Sequence, residues 1–371
     1  NVFALRFFSA LMSYTFAFLC FIAVSGCQNV LGEGSDLKHD KTQNAEVARV
    51  SSVAASRPSG IFISGGQYQE EPLLAKPFVD GALIRVRWHE LEPSEGQFDW
   101  RYLDSEIAKV AKLGKVYTLA VVGGPSTPSW VFAKGAQGYS FTLNNPYASK
   151  ARPVDNKLPL PWDAIYLKAW HRLIAELGKR YSSDPNLLLV HITLSSQNGF
   201  EMHLPYSRGP RDPNQLPSWD KFGFSEDKYI NAAKTTLDAY SQAFPTKFLD
   251  LEIHNVFDSY RIPQELVRYG VTHIGKRFGP FGAWLNDRDV RWDKPLRELM
   301  KETSSQSFCN YQLIGNATRQ LERVGKNGLQ GAIQNGLDDG CRYFEVWEVD
   351  VKNRDFEQYL TELQSQLKNS H

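Results

Sequence analysis

The sequence is short of most features that would announce a particular chemistry. It carries four Cys and eight His in 371 residues. The His are scattered, and no HxxxH or CxxC spacing occurs, so no compact metal-ligand motif is present and no cofactor is expected. No GxSxG occurs, which removes the serine nucleophile elbow. Charge of one sign is also lacking. Forty-two Lys and Arg stand against 41 Asp and Glu, a net charge of +1, so there is no electrostatic case for nucleic acid as a partner. The first strand-like run ends in Ser64-Gly65-Gly66-Gln67, which is not a glycine-rich phosphate turn.

What is there begins with an exported N-terminus. Residues 1–26 hold one early Arg6 and then an apolar stretch ending in small residues, the pattern of a secretory signal rather than a buried helix. Val24-Ser25-Gly26-Cys27 resembles the bacterial lipobox, which implies acylation of Cys27 and a membrane partner through a lipid anchor. Gln28 after it suggests the outer membrane. Residues 27–57 are polar and aperiodic, as a tether would be. Cys309 and Cys341 remain in the mature domain, and the exported compartment permits either a bridge between them or two buried thiols.

From residue 58 to residue 371 short apolar runs alternate with helical spacing. The runs are 60–65, 82–88, 116–123, 187–194, 248–254, a weak one at 281–285, 311–315 and 342–348. Leu103, Ile107, Val110 and Ala111 share one helical face between two of them, and Phe356, Tyr359, Leu360 and Leu363 share another. Near-continuous apolar strands alternating with helices imply a parallel sheet covered by helices. Eight strands in one such domain predict a single (β/α)8 barrel, whose chemistry lies at the C-terminal strand ends.

One stretch is specific. Residues 81–132 contain Arg87, Trp88, Leu91, Glu92, Pro93, Gly96, Phe98, Asp99, Trp100, Leu103 and Asp104 in order, followed by a strand and Pro128-Ser129-Trp130. This resembles the second and third β/α units of clan A glycoside hydrolases, particularly the β-galactosidase-like families. The resemblance implies a sugar substrate and a pair of carboxyl groups, one protonating the leaving oxygen and one acting as nucleophile or base. It also implies an Asn-Glu acid/base just after strand four and a nucleophile Glu ending strand seven. This chain departs at both places. Strand four ends in Leu194-Ser195-Ser196-Gln197, and strand seven carries Gln312.

The carboxylates must then be relocated within the mouth, or the barrel binds sugar without cutting it. Glu201, flanked by Phe200 and Met202, is the expected general acid, because apolar neighbours raise a carboxyl pKa. Asn198 and His203 are placed to orient it. In the last strand, Tyr343, Glu345 and Trp347 share a face opposite Phe344 and Val346, so Glu345 should point into the barrel. Glu345 is the preferred partner of Glu201 and Glu348 the next, although Glu345 could instead be a structural partner of Arg85 or Arg87. Glu252 competes, sharing a face with Asp250 and His254, while Asp250 reads as structural. Arg87, Trp88, Trp130, His254, Gln312 and Trp347 complete the expected sugar contacts, with Trp100 bracing the loop before it. The Pro- and Gly-rich insertion at 203–227 can add a wall from Tyr206, Arg208, Arg211 and Trp219, whose arginines would suit sulfated or uronic sugars.

Overall fold

The computed structural model describes residues 57–65, 71–143, 154–207 and 216–369. The lipobox with Cys27, nearly all of the tether, and Arg208 and Arg211 lie outside them.

The eight apolar runs form strands β1 (Gly60–Ser64), β2 (Gly81–Arg87), β3 (Val116–Val122), β4 (Leu187–Ile192), β5 (Phe248–Glu252), β6 (Phe278–Leu285), β7 (Asn310–Leu313) and β8 (Tyr343–Trp347). Each pairs in parallel with the next in sequence, and β8 closes on β1 with Ser64 opposite Trp347. The long helices between them are α1 (Arg101–Lys112), α2 (Ala164–Tyr181), α3 (Glu226–Ala243), α4 (Arg261–His273), α5 (Lys294–Ser304), α6 (Gly328–Asp338) and α7 (Glu357–Asn369). This is the expected single (β/α)8 barrel. The weak run at 281–285 is the end of an eight-residue strand in which every residue is buried.

The helices start where local chemistry lets them. Asp163 accepts from the Tyr166 amide at 2.8 Å at the start of α2, and Ser225 accepts from the Lys228 amide at 3.2 Å at the start of α3. Each satisfies a donor with no partner inside the helix, worth about 1 kcal/mol. One element went unread in the sequence. Gly138–Leu143 and Val154–Pro159 form an antiparallel ribbon after β3. Cys309 and Cys341, which precede β7 and β8 side by side, are joined by a disulfide.

Two shells result. Outward-facing strand residues such as Ile61, Ile84 and Phe344 pack with the helices into the main core. Inward-facing Phe62, Leu83, Ala120, Phe281, Ala283 and Tyr343 fill the barrel, and a loop residue, Phe200, joins them. That loop residue positions the site.

Candidate active site

The barrel interior is polar as well as apolar. Inward-facing His191 on β4 has its Nδ1 2.7 Å from Asp250 Oδ1 on β5 and its Nε2 3.2 Å from Glu345 Oε1 on β8. Asn310 donates to the other Asp250 oxygen at 2.8 Å. Burial opposes charge on His191, but Asp250 and Glu345 on either side outweigh it and lift the imidazole to about 9. Burial raises the Asp250 carboxyl, against the pull of His191 and Asn310. Glu345 is fully enclosed. Its Oε1 also accepts from the Tyr343 hydroxyl at 2.7 Å, and its Oε2 accepts from the Gln312 amide at 2.6 Å. Gln312 donates also to Ser64 at 2.7 Å, which binds the network to β1. A buried carboxylate so wrapped is stable only with its partners present. Alternation along β8 predicts Glu345 inside the barrel, and it lies there, but among side chains that occupy both its oxygens.

Above this layer sits Phe200. Its ring centroid lies 5.6 Å from His191 and 5.8 Å from Phe281, and the Arg85 guanidinium carbon is 5.5 Å from it. Arg85 donates to the Gly65 carbonyl at 2.7 Å and is held charged by Glu345 and Glu201, although burial lowers its pKa. Phe200 is aimed inward by a tight loop. Asn198 Oδ1 accepts from the Phe200 amide at 3.0 Å and the Glu201 amide at 2.9 Å. Gly199, with φ of 76°, lets the β4 loop lie against Gly123 after β3, where a Cβ would stand 2.3 Å from the Gly123 oxygen. Asn198 therefore shapes the turn rather than facing Glu201 with its side chain.

With Phe200 turned in, Glu201 stands at the mouth, its side chain 31% exposed and 3.4 Å from His203 Nδ1. The His203 ring packs on His254 at 5.0 Å, and His254 packs on Trp292 at 4.9 Å. His254 Nδ1 lies 3.6 Å from Glu252 Oε1, whose second oxygen accepts from the Met202 amide at 2.5 Å. Burial raises the Glu252 carboxyl to about 8 against the pull of the Met202 and Ala283 amides, so it is protonated at neutral pH. The result is a chain from carboxyl to imidazole to imidazole to carboxyl along one side of the mouth. Across it, Glu348 opens the turn after β8 and lies over Gly65. Trp347, partly exposed, donates to the Leu313 carbonyl at 2.8 Å.

One expected sugar contact, Trp88, is elsewhere, and Trp130 beside it is partly exposed. Trp88 is fully buried, 4.9 Å from Trp170 and 6.0 Å from Trp130, with its indole donating to Glu92 at 2.9 Å. It has no face to offer a sugar. Trp130 donates to the Glu92 carbonyl at 3.1 Å and is covered by the Arg172 guanidinium at 5.4 Å. Both brace the loop after β2, where buried Glu92 also accepts from the Gly96 amide at 2.7 Å and pairs with Arg172. An apolar surface facing α2 competes for tryptophan as strongly as a ligand does. Arg87 is exposed at the rim and pairs with Glu90 at 3.0 Å. His191 was missed in the sequence, although a lone His at an inward position of an otherwise apolar strand was the available signal. Among the described residues, no cluster of three His, Cys, Asp or Glu side chains is arranged to hold a metal ion.

The model of the glycoside hydrolase family 42, described as beta-galactosidase, matches residues 82–313, from β2 through β7. Beta-galactosidase BglY of Alicyclobacillus acidocaldarius is 28% identical over 159 residues, which is 39% of this chain and 22% of that protein. A beta-galactosidase of Arthrobacter sp is 26% identical over 146 residues, 39% of this chain and 20% of that protein. The chain thus matches about a fifth of the length of these curated relatives. The catalytic domain of beta-amylase from Paenibacillus polymyxa superposes with a TM-score of 0.56 at 13% identity, covering 82% of this chain and 98% of that one. Beta-galactosidase from Bacillus circulans sp. alkalophilus superposes with a TM-score of 0.54 at 15% identity, covering 85% and 56%. At such identities the two superpositions concern the fold.

Proposed function

Because the chain belongs to glycoside hydrolase family 42, the beta-galactosidase family, we propose that its barrel mouth hydrolyses O-glycosidic bonds of an oligo- or polysaccharide, a β-galactoside or an algal galactan. The observation that carries this reading is Glu201, a carboxyl group standing partly exposed at the mouth beside His203. Glu201 is the general acid. It gives its proton to the leaving glycosidic oxygen as the bond to the anomeric carbon breaks, and His203 is close enough to resupply that proton. Glu348 is the second carboxylate and meets the oxocarbenium-like centre, either directly or through a water. Glu348 is preferred to Glu345 because both Glu345 oxygens are already hydrogen-bonded inside the barrel. Arg85, between Glu201 and the Glu345 network, keeps the mouth from accumulating uncompensated negative charge.

The test is release of reducing ends by the full chain across a polysaccharide panel that includes sulfated galactans, with Glu201→Gln and Glu348→Gln beside it. Turnover lost in both variants, with the fold and sugar binding kept, is the expected result. A second reading, a surface barrel that binds glycans without cutting them, is favoured by Gln312 on β7 and by buried Ser195 and Ser196 after β4. Binding by the unaltered chain with no turnover, unchanged by Glu201→Gln, would establish that reading and sink the hydrolase.

The same proposal places the domain outside the cytoplasm, lipid-anchored at the outer membrane through Cys27 and spaced by residues 27–57. The support is the apolar leader and the four residues ending in Cys27. Expressed with its leader, the chain should incorporate labelled palmitate, and Cys27→Ser should abolish the label. Label retained in that variant would refute the anchor.

A further inference from the structure

Beside the mouth, the loop after β4 and the loop after β5 enclose an open cavity of about 390 Å³, whose wall includes Tyr206, Leu216, Trp219, Asp220, Phe224 and Phe257. That size lies within the roughly 300–1,000 Å³ range of small-molecule sites. The Phe257 ring lies 4.8 Å from Phe224, 5.3 Å from Tyr206 and 6.0 Å from Trp219. The far side of Trp219 is already used, stacked in parallel on Tyr139 at 4.1 Å, and its indole donates to the Pro205 carbonyl at 2.6 Å. The aromatic wall is thus fixed from behind.

A second observation concerns the backbone. Val256 and Ser259 exchange both hydrogen bonds at 3.0 Å, closing a two-residue turn around Phe257 and Asp258, whose φ angles are 50° and 63°. Turns with both central residues at positive φ ordinarily carry Asn-Gly or Asp-Gly. A bulky residue there is a genuine outlier, and strain of that kind gathers at ligand sites because the surroundings hold it. Both strained residues serve the cavity. Phe257 supplies a ring of its wall, and Asp258 accepts from the Tyr206 hydroxyl at 3.1 Å, which fixes another.

We propose that this cavity is a sugar subsite of the chain's own insertion, taking a neutral pyranose several units along a glycan whose other end lies at the mouth. The aromatic rings suit the C–H face of a pyranose, and Asp220 and Ser218 at the edge can accept or share its hydroxyl protons. Asp220 stands among the described lining residues, and its carboxylate would repel a sulfated or uronic group, which favours a neutral sugar. Continuity with the mouth is close in sequence and space. Tyr206 follows His203 by three residues, Phe257 follows His254 by three, and those two His rings are in contact at 5.0 Å.

The inference rests on the proposed glycan site for the direction of the chain, but its measurement is binding, not turnover. Neutral β-linked oligosaccharides of two to six units, and sulfated counterparts, are titrated against the full chain by tryptophan fluorescence and calorimetry. Phe257→Asn suits the left-handed backbone and removes the ring, while Tyr206→Phe keeps its ring and removes the bond to Asp258. The expected result is about tenfold weaker binding of the hexasaccharide to Phe257→Asn, the size of one lost aromatic contact. Disaccharide binding should be unchanged and the fold kept. Tyr206→Phe should fall between that variant and the unaltered chain. Three outcomes overturn the subsite: no neutral oligosaccharide binds, the two variants bind long and short sugars as before, or sulfated chains bind in preference. Length-dependent binding that these variants weaken, in a chain that releases no reducing ends, would leave the subsite standing and remove only the hydrolytic reading.

Discussion

Glu252→Gln offers the sharpest test of the electrostatics at the mouth. Glu252 is 3% exposed, and burial raises its carboxyl from 4.5 to about 8. An acid whose folded pKa lies above its unfolded value adds stability that is complete below pH 4.5. That stability is lost as pH climbs towards 8, because over this range only the folded state keeps the proton. Each pKa unit is worth about 1.4 kcal/mol. The loss is therefore about 3 kcal/mol by pH 7 and approaches about 5 kcal/mol above pH 9, an upper bound that local water would reduce.

Glutamine at this position is always neutral. Its carbonyl can still accept from the Met202 amide, which now donates to Glu252 at 2.5 Å, and its amide can face His254 Nδ1, now 3.6 Å from the carboxyl. The variant should thus match the unaltered chain in stability at pH 4–5 and exceed it increasingly from pH 5 to 8. Urea denaturation followed by tryptophan fluorescence at each pH measures this, and shifts from other titrating groups cancel in the difference. A difference that stays flat across the range, or a variant less stable at pH 8, would show that Glu252 is not held protonated by burial. The same variant isolates the imidazole pair, because it leaves Glu201 and His203 in place.

Two further substitutions test the supports. Glu92→Ala should cost about 3–5 kcal/mol and lower the melting temperature, because it strips a buried carboxylate from the Trp88 indole, the Gly96 amide and Arg172; a cost below about 1 kcal/mol would mean that the loop after β2 does not depend on it. Gly199→Ala should abolish turnover while lowering stability, since its Cβ would stand 2.3 Å from the Gly123 oxygen at a φ of 76°; unaltered turnover would show that the β4 loop need not be where it is.

The barrel was legible because its strands are short, largely apolar runs and its helices are apolar on one face, and two periodicities suffice to separate them. Tyr343, Glu345 and Trp347 could be assigned to one face of β8 by counting in twos, and Glu345 is inside the barrel. Counting cannot say what covers an inward group. Whether Glu345 meets substrate or protein depends on other strands: Gln312 on β7 takes one of its oxygens, His191 on β4 stands 3.2 Å from the other, and Phe200 packs over His191. Nor can composition say which tryptophans face ligand. Trp88 and Trp130 fill the space between the β2 loop and α2, a demand set by three elements at once.

The placement of Glu201 follows from the same loop. The Asn198 side chain caps the amides of Phe200 and Glu201 together, and Gly199 presses the loop onto the end of β3. Neighbouring side chains in such a turn diverge. Burying the Phe200 ring stabilises the fold by roughly 2–3 kcal/mol, and Glu201 is thereby left standing towards solvent. Anchoring by an apolar neighbour thus fixes the direction in which Glu201 stands, beyond the buried Ser195 and Ser196 that follow β4. A carboxyl held by a loop is held less rigidly than one on a strand, which is why His203 and the packed His254–Trp292 pair behind it matter. His254 and Trp292 supply that backing from the loops after β5 and β6.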